Sequence, residues 1–98
     1  MKQYTDLLLS HGAWISEKTI VENKTQLHKW GVQTHTAFEW LTYTTEELGE
    51  LANAISEHEY RGGTKADVVK EAIQVATLAL KIAEMFEFEG QEWTTPKF

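Results

Sequence analysis

The chain has 98 residues, 42% apolar and 24% charged, the proportions of one globular domain rather than a disordered segment or two separate cores. It has no cysteine, which excludes a disulfide framework, thiolate zinc sites and thiol catalysis. Nine Lys and Arg stand against fifteen Asp and Glu, a formal net charge of −6, so the broad positive field of a nucleic-acid binder is missing.

The first elements are weakly marked. Met1 to Ile15 mixes apolar residues with Gly12, and its pattern predicts a short helix around Tyr4 to Leu9. Unbroken apolar runs stay as short as Leu7-Leu8-Leu9, so neither a membrane span nor a signal-peptide core is expected, and the setting reads as cytoplasmic. From Ser16, a plausible N-cap, Ile20, Lys24, Leu27 and Trp30 follow at spacings of three and four until Gly31 stops the helix.

Thr36 and Glu39 then form a Thr-x-x-Glu capping box, the signature of a helix start. Leu41, Leu48, Leu51, Ala52 and Ile55 mark its apolar face through about Glu57. The strongest breaker is Glu59-Tyr60-Arg61-Gly62-Gly63, after which Thr64 and Asp67 open a third helix running to about Phe86. That helix is apolar nearly all round, from Val68 through Ile73 and Leu78 to Ala83. A helix apolar on every side needs neighbours on every side, and a chain this short cannot supply them all. The sequence therefore predicts a single all-α domain over 1–98, with its core in 16–87 and an extended tail over 88–98. It predicts an antiparallel helical bundle assembled as a homodimer or homotetramer.

The chemistry sits in carboxylates. Glu47 and Glu50 lie three apart on the second helix, as do Glu71 and Gln74 on the third, so each pair shares a face. Glu47 and Gln74 are equally far from the midpoint between Tyr60 and Arg61, and so are Glu50 and Glu71. If the helices fold back on one another and turn these faces inward, both pairs meet across one groove. Three crowded carboxylates raise one another's pKa, whereas a hard Mg²⁺ or Mn²⁺ accepts them as oxygen ligands, with Gln74 offering a neutral amide oxygen. Such an ion can bridge phosphate oxygens and activate water. The plainer reading is also open: Lys70, Gln74, Thr77, Lys81 and Glu84 recur at four, three, four and three, the pattern of a solvated stripe.

Glu46-Glu47-Leu48-Gly49-Glu50 followed by a helix with Glu71-Ala72-Ile73-Gln74 resembles the MazG-like nucleotide pyrophosphohydrolases, whose pattern is Glu-Glu-x-x-Glu and then Glu-x-x-Asp. The lead-in His28-Lys29-Trp30-Gly31-x-Gln33-x-His35, then Glu39-Trp40-Leu41, is similar to that of short single-domain members. The likeness covers about Gln26 to Phe86. It implies an all-α hydrolase that cuts a nucleoside triphosphate between the α and β phosphates, using Mg²⁺ (or Mn²⁺) and releasing monophosphate and pyrophosphate. The implied metal ligands are Glu47, Glu50 and Glu71, with Gln74 where the pattern has Asp. That departure removes one negative charge, which Asp67, one turn before Glu71, can supply.

Other residues are candidates around this site. Glu46 is placed to orient or deprotonate the attacking water, or is a surface acid. Trp30, Phe38 and Trp40 can stack on a base or serve as core. His35 can hydrogen-bond a base edge or phosphate. Lys81 can reach a phosphate, as can Lys70 or Arg61. His11, His28 and His58 share no metal-binding spacing. The expected partner is a nucleoside triphosphate, with neither a nucleic-acid polymer nor a membrane. The expected role is an enzyme clearing surplus or non-standard nucleotides. The alternatives are a nucleotide-binding module impaired by Gln74 and a purely structural helical oligomer.

Overall fold

The computed structural model describes residues 2–31 and 33–88. These form three helices, α1 (Lys2–Trp30), α2 (Ala37–Tyr60) and α3 (Lys65–Glu87), with no strand among the described residues. The all-α expectation holds. No described helix is long and apolar enough to cross a membrane.

One boundary differs from expectation. The short helix at Tyr4 to Leu9 and the helix from Ser16 are a single continuous α1. Gly12 carries no left-handed φ and merely lowers helix propensity, by about 1 kcal/mol against alanine. No proline enforces a break. Ser16 is therefore not a cap but lies within α1, and its carbonyl accepts the Thr19 hydroxyl at 3.1 Å. Gly31 does end the helix, with φ +74° and its N–H on the Leu27 carbonyl at 2.8 Å.

α2 starts where the capping box sits. Glu39 N–H donates to Thr36 Oγ1 at 3.1 Å, and Thr36 N–H donates to Glu39 Oε1 at 2.8 Å. These bonds hold the exposed Glu39 carboxyl below its ordinary pKa. At the far end the Glu57 carbonyl accepts both Arg61 N–H and Gly63 N–H at 2.9 Å, and Gly62 takes φ +78°. Gly63 has a second reason to be glycine, because a Cβ there would stand 2.9 Å from the Glu57 backbone carbon. The chain then turns back, and Thr64 Oγ1 accepts Asp67 N–H at 3.1 Å to open α3. α3 ends at Glu87, with Phe88 as its cap. The rest of the expected tail lies outside the described residues.

α3 is the hub. α2 packs along it, α1 touches it over a shorter stretch, and α1 and α2 do not pack on each other. Among the described residues the buried apolar side chains are only Trp40 and Leu78. Thr19 and Asn23 of α1 and Thr77 of α3 are buried as well, and all are polar.

Candidate metal centre

The turn at Tyr60–Lys65 sets the register of α3 against α2, and that register brings the two acidic pairs together. Carboxylate oxygens of Glu47, Glu50 and Glu71 lie within 4.8 Å of one another. Glu47 and Glu71 are half-buried, and Glu50 is exposed. With its amide nitrogen turned to the acids, Gln74 donates to Glu47 Oε2 and Glu71 Oε2 at 2.9 Å each. The opposite turn puts the amide oxygen among the carboxylates instead, an orientation that a protonated Glu47 carboxyl or a cation between the acids would favour.

The electrostatics follow from the crowding. The Glu47 carboxyl is pushed up to about 7, first by burial, then by its hydrogen bond with Glu71 and by the neighbouring charges of Glu50 and Glu71. Among the described residues no ion pair involves any of the three acids. The donor set suits a hard cation: ligand oxygens 2.1 Å from Mg²⁺ stand about 3 to 4 Å apart, so the trio needs little movement to close on one.

The polar stripe of α3 beyond Gln74 is not a solvated face. Thr77 is fully buried, its hydroxyl donating to the Ile73 carbonyl at 2.8 Å. Lys81 is half-buried, and its Nζ donates to Asn23 Oδ1 of α1. Burial draws its pKa below the usual lysine value, partly countered by Glu84. Asn23 is a residue that sequence reasoning missed. Its signal was present in the polar set Thr19, Asn23 and Gln26 on one side of α1, at spacings matching the α3 stripe.

The remaining candidates are placed unevenly. His35, Trp40 and Tyr43 pack edge-on, with ring centroids 4.8 Å apart for His35–Trp40 and 5.1 Å for His35–Tyr43. His35 Nδ1 is 3.9 Å from Glu39. Trp40 is 7% exposed and belongs to the core, two turns along α2 from Glu47. A base could stack on it only by displacing its aromatic neighbours. Trp30 is 60% exposed, with Lys29 Nζ 5.0 Å from its ring centre. Phe38 is more exposed still. Glu46 is exposed and stands about 100° round α2 from Glu47, outside the carboxylate trio. Asp67 also lies outside the trio, exposed in the first turn of α3. Arg61 pairs with Glu57 at 2.9 Å.

Compared with protein-family models, with curated proteins and with solved structures, the chain matches none. The family likeness therefore rests on the motif residues alone.

Proposed function

We propose that the chain is a Mg²⁺-dependent nucleoside triphosphate pyrophosphohydrolase that works in the cytoplasm as a homo-oligomer with an antiparallel bundle core. The observation that carries this reading is the trio Glu47, Glu50 and Glu71, gathered from two helices with no ion-paired cation among the described residues. Structural surface acids disperse, because like charges repel. A trio tight enough to raise Glu47 to about 7 is a cost that bound metal offsets.

A bound Mg²⁺ would grip the phosphate chain and supply activated water. The protein's part is to hold that ion with Glu47, Glu50 and Glu71 and to orient Gln74 beside it. Lys81, about 10 Å further along α3, offers positive charge to the phosphates. Water adds to the α phosphorus, the bond to the oxygen bridging the β phosphorus breaks, and pyrophosphate leaves with that oxygen. Glu46 and exposed Trp30 complete the reading, as water-orienting acid and base platform, with His35 on a phosphate or base edge. Removal of unwanted nucleotides is the corresponding role.

The test is pyrophosphate release by the purified chain from a panel of ribo- and deoxynucleoside triphosphates, with Mg²⁺, Mn²⁺ or EDTA. Metal-dependent release with a monophosphate co-product supports the enzyme. Absence of release from every triphosphate, with metal bound and the fold intact, refutes it.

A second reading is favoured by Gln74, whose neutral amide occupies the fourth position between Glu47 and Glu71. In that reading the site binds a nucleotide without cleaving it. A Gln74→Asp variant that turns over nucleotides where the wild type does not would establish it.

A further inference from the structure

The groove between α2 and α3 continues past the acids. Residues seven apart differ by only about 20° in direction round a helix, so Lys81 follows Gln74 on the same side of α3. By the same rule Trp40 precedes Glu47 on the same side of α2. The contact of Gln74 with Glu47 fixes the register and places Lys81 level with Trp40. That level lies about 10 Å along the groove from the carboxylates.

Here α1 joins the other two helices. Asn23 is 6% exposed, and its Oδ1 accepts the Nζ of half-buried Lys81. A lysine ammonium only donates, so the amide oxygen, not the nitrogen, must face it. Among the described residues no buried side-chain nitrogen or oxygen lacks a hydrogen-bond partner. The polar seam is thus fully built.

As glue this seam is a poor choice. Asparagine is a weak helix former in mid-helix, and a hydrogen bond contributes less net stability than a buried leucine. Burial also makes the ammonium costly, which is why the pKa of Lys81 is drawn down. What a neutral amide does well is to direct an ammonium without cancelling its charge. A carboxylate in the same place would cancel it.

We infer that Asn23 is a positioning residue of the nucleotide site: through its amide oxygen, α1 holds the Lys81 ammonium at the end of the carboxylate groove, where it meets the phosphates of a nucleotide gripped at Glu47, Glu50 and Glu71. The inference rests on the proposed function and adds to it a role for α1.

The physical gain is preorganisation. Lysine carries its charge on a flexible four-carbon stem, whose rotamer freedom is lost when the charge is fixed on a ligand. Asn23 fixes that stem before the nucleotide arrives, so less ordering remains to be done on binding. Lys81 meets the phosphates alike before and during the reaction. Losing Asn23 should therefore raise KM and leave kcat nearly unchanged.

The experiment measures both constants on the full chain with Mg²⁺ and the triphosphate it hydrolyses best. Asn23→Leu, similar in size and without an acceptor, should raise KM about tenfold and keep kcat within about twofold. Added to Lys81→Met, it should change KM no further, because its effect passes through Lys81. Thr25→Ala, exposed on the same helix, should match wild type. If Asn23→Leu does not fold, Asn23→Asp keeps an acceptor oxygen and should still raise KM, since its carboxylate cancels the ammonium's charge. A second readout needs neither metal nor nucleotide. In isotope-labelled lysine spectra the Lys81 ammonium of the wild type should give a slowly exchanging resonance that Asn23→Leu abolishes. A resonance that is absent from the wild type or indifferent to Asn23→Leu overturns the inference. An equal rise in KM with and without Lys81→Met overturns it too, because Asn23 would then act on the fold. A chain that hydrolyses triphosphates with a KM that neither Asn23→Leu nor Asn23→Asp moves overturns the inference alone and leaves the proposed function standing. A wild type that hydrolyses no triphosphate overturns both.

Discussion

Glu47 gives the sharpest test of whether the carboxylate trio holds uncompensated charge. Its folded pKa of about 7 lies above the ordinary glutamate value of 4.5. Between those values the folded chain binds more protons than the unfolded one, so stability falls as pH rises through the window. A shift of this size is worth about 3 kcal/mol at face value, and solvent reaching the open side of the cluster reduces it to about 1 to 2 kcal/mol. The perturbation is Glu47→Gln. In EDTA at pH 8 the variant should unfold about 5 to 10 °C above wild type, and below pH 4.5 the two should converge. Mg²⁺ at ten times its dissociation constant should return about 1.4 kcal/mol to the wild type and less to the variant. Thermal unfolding by circular dichroism across pH, with and without metal, reads all of this. Equal melting temperatures for both chains at pH 8 in EDTA, with no response to Mg²⁺, would refute the argument from crowding.

The other expectations concern the scaffold. Gly63→Ala should destabilise by about 1 to 3 kcal/mol, because its Cβ meets Glu57 backbone at 2.9 Å; an unchanged denaturation midpoint would mean the turn is slack. Thr36→Ala should cost about 1 kcal/mol through loss of the bond to Glu39 N–H, measured by urea unfolding, and a neutral result would remove the cap from the account. In hydrogen exchange, amides of residues 3–18 should exchange well before those of α3, since no residue there is buried. Equal protection along α1 and α3 would contradict that order.

What was legible in the sequence follows the strength of the local signal. Thr36 and Glu39 announce the start of α2 because both halves of the box are written in side chains that can only reach one backbone. The register of Glu47 against Gln74 was also legible, since a short turn centred near Tyr60 and Arg61 leaves helices little freedom to slide. The N-terminal segment was not. Ser16 has the chemistry of a cap, and Gly12 that of a breaker, yet a helix passes through both when nothing such as proline forbids it. The polar stripe of α3 misled for a different reason. Periodicity shows that Thr77 and Lys81 share a face, but not that Asn23 of α1 lies against Lys81. That contact depends on a helix distant in sequence, and no local rule specifies it.

The seam between α1 and α3 decides how firmly α1 is held. A hydrogen bond contributes about 0.5 to 1.5 kcal/mol net, whereas a buried leucine contributes about 1.5 to 3. α1 is tied to α3 by the bond from Lys81 Nζ to Asn23, and among the described residues its buried side chains, Thr19 and Asn23, are both polar. With no buried apolar side chain of its own among the described residues, α1 is the helix that should open first, which is the physical reason for the exchange order expected above.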